Sequence, residues 1–163
     1  MKIAVLSDIH DNIWVLERLL EELRADALIF CGDFCAPFTL AQIAEAFSGP
    51  IHVVFGNNDG DQFLLSKVAG KHPHVTLHGQ FADLKFDGRK VAVTHYPDVG
   101  RALAQGGTYD LVCHGHSHER VIKEVGPTLR LNPGEVMGRF GLSTYALYDT
   151  QTGQAEIIQV NNG

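Results

Sequence analysis

Short runs of apolar residues, bounded by polar residues or glycine, recur through the first third of the chain. They span residues 2–7, 27–31 and 51–55. Continuous apolar runs of this length are typical of strands buried on both faces of a sheet. The segments between them carry apolar residues at helical spacing, which predicts one helix capped by Asp11 or Asn12 and another over residues 38–47. This alternation predicts a right-handed parallel α/β unit.

The hydrophobic pattern changes after residue 80. Segments 81–86 and 90–94 flank Asp87-Gly88, which predicts a β-hairpin. A short helix over 99–105, capped by Asp98, and a strand at 111–114 follow, and further strands are predicted at 121–125, 128–131, 145–148 and 155–160. We expect this half to be antiparallel in character. Without a repeat or a long linker, the sequence predicts one domain over residues 1–163.

Composition excludes several classes of protein. The chain has 163 residues and a formal net charge of −6, and it contains no run of Lys or Arg. A general nucleic-acid or anionic-membrane binder relies on a basic patch, so neither is expected. No apolar stretch approaches the roughly 18 residues of a membrane span. The three cysteines, Cys31, Cys35 and Cys113, lack the spacing of zinc or redox motifs, which favours buried thiols in a reducing cytoplasm.

Oxygen and nitrogen donors follow the predicted strands at the point where each strand ends. In open α/β sheets, ligands bind beyond that edge. Carboxylates, amides and imidazoles without thiolates suit manganese, iron, zinc or nickel more than a cysteine-rich structural zinc. The donors are Asp8, His10, Asp33, Asn57, His95, His114, His116 and His118.

Without His114, seven donors remain, and these are too many for one tetrahedral ion. They suit two metal ions about 3.5 to 4 Å apart that share a bridging carboxylate. Such a pair adds about four positive charges against two carboxylates. A net-acidic protein would thereby obtain an anion-binding centre without a basic patch.

The order of these motifs resembles that of the calcineurin-like metallophosphoesterases. The chain is most similar to their smallest branch, the compact bacterial and archaeal phosphodiesterases, and to the eukaryotic retromer subunit that shares their scaffold. The resemblance implies an α/β fold: a two-layer β-sandwich of mixed sheets flanked by α-helices, with the metal centre at one edge. The motifs are Asp8-x-His10, Gly32-Asp33, Gly56-Asn57-x-Asp59, His95, Gly115-His116-x-His118 and a late Asn132-Pro133-Gly134 turn.

The resemblance also implies roles for individual residues. Asp8, His10 and His118 would bind the first metal. Asn57, His95 and His116 would bind the second, and Asp33 would bridge the two ions. The residues implied in catalysis are Asp33, Asn57, Asn58, Asp59 and His95.

The implied cofactors are two divalent metal ions, with manganese favoured and iron, nickel, zinc and magnesium as alternatives. The implied reaction is hydrolysis of small phosphodiesters by direct attack of a metal-bridging hydroxide. A small-molecule phosphodiester is therefore the expected partner. An exposed apolar edge in the second half of the chain would favour a homodimer.

The chain departs from the wider family pattern at two positions. Asn58 stands where many relatives carry a histidine that is usually assigned to leaving-group protonation. Asparagine donates a hydrogen bond but delivers no proton near neutral pH, which predicts a preference for phosphodiesters with good leaving groups such as aryl oxides. Ala36 replaces an aspartate of larger relatives, so the surroundings of the site must differ.

Two other functions remain open from the sequence. One is a phosphomonoesterase built on the same metal centre. The other is a non-catalytic protein-interaction scaffold of the retromer-subunit type, in which the metal site is altered. Retention of all seven metal-ligand residues argues against the scaffold.

Five other histidines have structural explanations. His72, His74 and His78 are interpreted as solvated residues of a sheet edge, with a place at the substrate rim as the alternative. His52 lies inside an apolar strand and is interpreted as a hydrogen-bonded core residue. His114 precedes the family motif, which favours a supporting role over metal ligation.

Aromatic, amide and guanidinium groups near the motifs have two interpretations each. We expect Trp14 to pack at least partly in the core, although it could flank the site. Asn12 fits a helix cap, with a phosphate contact as the alternative. Arg101, Arg120 and Arg139 are candidate phosphate ligands, although single arginines are most often solvated.

Overall fold

Residues 1–161 are described in the computed structural model and contain eleven strands and four helices. The strands are β1 (Lys2–Leu6), β2 (Ala27–Phe30), β3 (Ile51–Val53), β4 (Val75–Leu77), β5 (Phe81–Phe86), β6 (Arg89–Thr94), β7 (Leu111–Cys113), β8 (Arg120–Val125), β9 (Thr128–Pro133), β10 (Thr144–Asp149) and β11 (Gln154–Gln159). The helices are α1 (Ile13–Glu22), α2 (Pro37–Ala46), α3 (Gln62–Ala69) and α4 (Pro97–Gln105).

The first sheet has six strands in the order β11-β10-β1-β2-β3-β4. β1 to β4 are parallel neighbours, and β10 joins β1 in antiparallel register. The parallel α/β unit predicted for the first third of the chain is confirmed. Because these strands run in one direction, the loops that follow β1, β2 and β3 emerge at the same edge of the sheet.

The second sheet has five strands in the order β5-β6-β7-β9-β8. The predicted hairpin is confirmed, because β5 and β6 pair antiparallel with Phe86 opposite Arg89. The expectation that this half is antiparallel is wrong for its centre, since β6, β7 and β9 are parallel neighbours. The physical reason is connectivity: α4 carries the chain from β6 back to the start of β7, as a parallel crossover requires.

The side chains of β1 show how the layers are arranged. Ile3 and Val5 lie in the core between the two sheets, whereas Ala4 and Leu6 lie in the core beneath the first three helices. A third, smaller core contains Ala104 of α4 and neighbouring residues of the second sheet. The predicted fold of two mixed sheets flanked by helices is therefore confirmed, and β1 is buried on both faces as its apolar run indicated.

Helix α3 was not predicted, because its sequence does not show a clear apolar face. Phe63 is 71% exposed and Leu64 is 44% exposed, so two of its apolar residues face solvent. Its start is fixed by Asp61, whose side chain accepts a hydrogen bond from the backbone N–H of Leu64 at 2.9 Å. Helix α4 begins at Pro97 and not at residue 99, because proline suits the first helical position.

Trp14 is the clearest error in the predicted core. Its side chain is 67% exposed, although we expected it to pack against the sheet. Helix α1 is rotated about its axis so that Val15 and Leu16, the next two residues, face the core and Trp14 faces solvent. No helix in the described part of the chain is long and apolar enough to span a membrane.

The cysteines are unpaired within residues 1–161, as their spacing indicated. Cys31 and Cys113 are buried and Cys35 is partly buried. Burial raises the pKa of the Cys35 thiol to about 12, so this group is uncharged at neutral pH. The three cysteines are therefore small buried or half-buried hydrophobes in this fold.

His52 of β3 forms a hydrogen bond with a histidine that follows β4. Its Nδ1 atom lies 3.0 Å from Nε2 of His78, and both rings are partly buried. Burial lowers the pKa of both histidines, and the charge of His78 further lowers that of His52. A histidine with a lowered folded-state pKa binds more protons in the unfolded chain, so its stabilisation is complete above the unfolded pKa of about 6.5 and is lost below it.

We therefore predict that His52→Gln reduces the loss of folding stability between pH 7.5 and pH 5. Urea unfolding at several pH values would measure this as a shallower slope of unfolding free energy against pH. His72→Gln serves as the control for removing one histidine. Equal slopes in the parent protein and in His52→Gln would contradict the prediction.

Candidate metal centre

The loops after β1, β2 and β7 hold their donor residues in left-handed backbone conformations. Positive φ angles occur at five of the predicted metal ligands: Asp8 (55°), His10 (46°), Asp33 (59°), His116 (68°) and His118 (59°). Each such conformation costs on the order of 1–3 kcal/mol and persists where surrounding contacts enforce it. Here, backbone hydrogen bonds of 3.0 Å join Asp8 N–H to Gly32 O and His10 N–H to Asp33 O.

Asp8, His10 and His118 form the first cluster of donors. Their ligand atoms all lie within 4.8 Å of one another. Nε2 of His118 is 3.5 Å and Nε2 of His10 is 3.8 Å from Oδ1 of Asp8. The other carboxylate oxygen of Asp8 accepts hydrogen bonds from the Ser7 hydroxyl at 2.6 Å and from His116 N–H at 3.0 Å. One oxygen is thus anchored and the other faces the histidines.

Asp33, His95 and His116 form the second cluster, again with ligand atoms within 4.8 Å of one another. His95 is buried, and its Nδ1 lies 2.6 Å from the carbonyl oxygen of Cys31, which fixes the ring and turns Nε2 toward the cluster. Nδ1 of His116 is 3.2 Å from that Nε2 atom. Oδ1 of Asn57 is 3.1 Å away from it, so the amide oxygen joins the same cluster.

Asp33 lies between the two clusters. Its Oδ2 atom is 3.6 Å from Nε2 of His10 and 3.4 Å from Nε2 of His95. Burial alone would raise the pKa of Asp33, but hydrogen bonds from His95 and Asn58 outweigh burial and leave the pKa well below its ordinary value. The Asp8 carboxylate in turn raises the pKa of His10. Hydrogen-bond donors around Asp33 therefore favour the charged form of its carboxylate.

The residues present fit bound metal ions. Within residues 1–161, Oδ1 of Asp8 and Nε2 of His10 are buried polar atoms without a hydrogen-bond partner. Such atoms are costly to leave unpaired, and each has a lone pair that a cation can accept. Both belong to the first cluster. The donor set of carboxylate and imidazole is one that divalent transition metals prefer.

Two comparisons establish the family. Residues 1–153 match the calcineurin-like phosphoesterase superfamily domain. The chain belongs to this superfamily. Its sequence is 32% identical to phosphodiesterase MJ0936 of Methanocaldococcus jannaschii, over 93% of this chain and 94% of that protein. The chain is an enzyme, a metal-dependent phosphoric ester hydrolase.

Solved structures support the fold of this phosphoesterase. A structure described as a novel archaeal phosphodiesterase superposes with a TM-score of 0.89 at 30% identity, covering 98% of this chain and 99% of that one. Vps29 from Entamoeba histolytica, solved in complex with Zn²⁺, gives a TM-score of 0.70 over 99% of this chain and 100% of that one. Its identity is 19%, so this second likeness is one of fold alone.

Asn58 and Asp59 of the phosphoesterase contact the loop of Asp33. The backbone N–H and the side-chain amide of Asn58 each donate to a different oxygen of Asp33, both at 2.8 Å. The Asp59 carboxylate accepts hydrogen bonds from the backbone N–H groups of Gly56, Asp33 and Cys35 at 2.7, 2.9 and 2.8 Å. Both residues therefore position the loops in this structure, and direct catalytic roles for them stay predictions.

Two glycines allow the loops to approach one another. A Cβ atom on Gly56 would overlap Oδ1 of Asp33, and one on Gly115 would overlap the Ser7 hydroxyl and lie 2.8 Å from Oδ2 of Asp8. The family motifs around these residues thus have a steric reason: only a residue without a side chain fits behind each of these two predicted metal-binding carboxylates.

The late turn at Asn132 supports the loop that carries His116 and His118. The buried Asn132 side chain donates to Gly115 O and to the Ser117 hydroxyl, both at 3.1 Å. His114 is buried behind the same loop and belongs to neither cluster. Burial lowers the pKa of His114 to about 4, so its ring is neutral at physiological pH. This position agrees with the supporting role expected for it.

The remaining sequence candidates differ in what their side chains contact. Asn12 caps α1 and donates from Nδ2 to Met137 O at 2.9 Å, so its amide is already used within the fold. Arg101 forms an exposed ion pair with Asp98 on α4. Arg120, in contrast, lines a cavity beside His118.

Glu135 is a functional residue that sequence reasoning missed. It is 2% exposed, and its Oε2 atom accepts a hydrogen bond from Nδ1 of His118 at 2.6 Å. The bond leaves Nε2 of His118 free to face Asp8 and fixes the tautomer that metal ligation needs. An acidic residue directly after the Asn-Pro-Gly turn was the available signal, but its partner lies 17 positions earlier in the chain.

Tyr96 was also missed. Its ring centroid lies 5.2 Å from that of His95 and 5.5 Å from that of His116. The tyrosine therefore packs against two histidines of the second cluster and restricts their orientation. Its position directly after His95 was the only sequence signal.

We predict that Glu135→Gln weakens metal binding about 10- to 100-fold, the range found when the partner of a metal-bound histidine is removed. The amide oxygen of a glutamine can still accept the hydrogen bond from His118. Its NH₂ group would then face the backbone N–H of Phe140, and two donors cannot form a hydrogen bond. Isothermal titration of metal-free protein with Mn²⁺ would measure the loss. Glu119→Gln, an exposed change beside His118, is the matched control. Equal affinity in both variants would contradict the prediction.

Proposed function

We propose that the protein is a dinuclear-metal phosphodiesterase that hydrolyses small phosphodiesters. The observation that carries the proposal is the place of Asp33, whose Oδ2 atom faces His10 in one cluster and His95 in the other at 3.6 and 3.4 Å. A carboxylate in this place is suited to bridge two cations. The phosphodiesterase name of the relative that is 32% identical supports the reaction class.

Two bound divalent ions would lower the pKa of water from about 15.7 toward about 7 and stabilise charge on the phosphoryl oxygens. The chain contributes position and charge. Asp8, His10 and His118 would hold one ion, Asn57, His95 and His116 would hold the other, and Asp33 would bridge them. The hydrogen bonds from Asn58 to both oxygens of Asp33 fix the orientation of that carboxylate.

The accessible side of the centre indicates where the substrate enters. Asp8, Asp33 and His95 are buried, whereas His116 and Asn57 are exposed. The phosphate would approach past the last two residues, with the carboxylates behind the cations. Neutralisation of the carboxylates by the ions allows an anion to bind to a protein of net charge −6.

Two further parts of the proposal rest on general chemistry. Manganese suits the mixed oxygen and nitrogen donor set, with iron, nickel, zinc and magnesium as alternatives. A cytoplasmic location fits three unpaired cysteines. One domain over 1–163 and a homodimer stay predictions.

The decisive experiment compares turnover of bis(p-nitrophenyl) phosphate and p-nitrophenyl phosphate by manganese-loaded protein. We expect turnover of the diester to exceed that of the monoester, and chelation to abolish it. Faster monoester turnover would instead identify a phosphomonoesterase. If the loaded protein hydrolysed neither, the interaction scaffold would be favoured and the proposal would fail.

We predict that Asp33→Asn and His116→Ala each lower kcat by at least about a hundredfold, because each change removes a predicted ligand of the cations that would stabilise transition-state charge. Both variants should stay folded, because the three apolar cores contain neither residue. Diester turnover and far-UV circular dichroism check the two parts. Asp83→Asn and His72→Ala are matched controls outside the centre. Collapse of the folded-state spectrum in either site variant would contradict the prediction.

We also predict that Asn58→His increases the ratio of alkyl-ester to aryl-ester hydrolysis. A histidine can protonate a poor alkoxide leaving group, whereas p-nitrophenoxide departs without a proton; general-acid help is worth about 10²- to 10⁴-fold. The ratio is the readout, because the substitution also removes a hydrogen bond to Asp33 and lowers both rates. An unchanged ratio would show that position 58 does not supply the leaving-group proton.

A further inference from the structure

A cavity of about 580 Å³ adjoins the first cluster of donors. We call it the Phe140 cleft. Its volume lies within the range of small-molecule sites, roughly 300 to 1,000 Å³. One of its walls is His118, so whatever occupies the cleft lies next to the first metal position. The cleft is lined by Ser117, His118, Glu119, Arg120, Glu135, Phe140, Gly141 and Leu142.

Exposed apolar side chains form part of the cleft wall. Phe140 is 72% exposed and Leu142 is 45% exposed. The Phe140 ring stands edge-on to His118, with centroids 5.2 Å apart and an interplanar angle of 83°. An aromatic group beside the metal position could therefore contact the Phe140 ring directly, and contacts between aromatic rings add to the free energy of apolar burial.

The wall is fixed to the metal centre by Glu135. One carboxylate oxygen of this buried residue accepts from His118 Nδ1, and the other accepts from the backbone N–H of Phe140, both at 2.6 Å. The position of the aromatic wall and the orientation of a metal ligand thus depend on the same carboxylate. A preorganised wall loses less conformational entropy when a ligand binds.

The cleft is lined by two carboxylates and one guanidinium: Glu135 is hydrogen-bonded to His118, Glu119 is exposed, and Arg120 adds a positive charge. Within residues 1–161, Arg120 forms no ion pair, and its stem packs against Gly134. The guanidinium carbon of Arg139 lies 5.4 Å from the Phe140 ring centroid. Another cavity of about 560 Å³, between α1 and α2, is lined by Glu17, Glu21 and Glu45 but by no Arg, Lys or His, so it offers an anionic ligand neither a cation nor a metal position.

We propose that the Phe140 cleft binds an aromatic ester group of the substrate, an aryl or nucleobase ring, while the phosphate occupies the metal centre. The inference rests on the proposed function for the identity of the substrate, but the cleft can be tested by binding alone. It makes Phe140 a specificity-determining residue and Glu135 the residue that positions it.

Calorimetric binding of phenylphosphonate and methylphosphonate to manganese-loaded protein tests the proposal without turnover. Both probes place the same anionic group at the metals, and they differ in the aromatic ring. We expect the parent protein to bind phenylphosphonate about five- to tenfold more tightly, from the contact between aromatic rings. Phe140→Ala should lose this preference and keep its affinity for methylphosphonate.

Phe63→Ala is the matched control, because Phe63 is equally exposed, at 71%, and does not line the cleft. This variant should keep the preference for phenylphosphonate, as should Phe140→Tyr, which retains the ring. Equal affinities for the two probes in the parent protein, or a preference that survives Phe140→Ala, would overturn the proposal. If the protein prefers phenylphosphonate but does not hydrolyse the diester, the cleft assignment stands and the proposed reaction fails. If it hydrolyses the diester without that preference, the proposed reaction stands and the cleft assignment fails.

Discussion

The parallel pairing of β1 with β2 places two buried carboxylates on neighbouring loops, with His10 close to both. Leu6 pairs with Phe30, and the loops that follow carry Asp8 and Asp33, which are 0% and 1% exposed. Burying two negative charges in one region costs free energy unless hydrogen bonds or cations compensate them. Hydroxyl, amide and backbone N–H groups donate hydrogen bonds to some of the carboxylate oxygens, and histidines lie near the remaining ones. The architecture of the centre follows from this requirement.

The loops meet the requirement by adopting backbone conformations that side chains rarely favour. Asp8, Asp33 and His116 each have a positive φ angle, and each is held by contacts to another loop. The cost of these conformations is offset by three apolar cores that exclude the predicted metal ligands. Structure and chemistry are therefore separable in this protein: the cores stabilise the fold, and the strained loops at the sheet edges prepare the site.

The segment that follows β9 connects the metal centre with the surface around it. Asn132 supports the loop of the last histidines, Val136 and Met137 donate backbone hydrogen bonds to Ser7 and Asp8, and Glu135 joins His118 to the Phe140 wall. One short stretch of chain thus sets the orientation of a ligand and the shape of the neighbouring cleft. If the Phe140 cleft binds the ester group as proposed, substitutions in this stretch would change the preferred ester and leave the predicted metal ligands in place.

The sequence by itself determined strands β1, β2 and β3, the hairpin at Asp87-Gly88 and the donors at the strand ends, because apolar runs, turn residues and motif spacing are local properties. Only the tertiary structure decided that β6, β7 and β9 run parallel and that Trp14 faces solvent. It also showed that Glu135 contacts His118. These features depend on which distant segments become neighbours and on how a helix is rotated against its sheet, and neither is encoded in a window of adjacent residues.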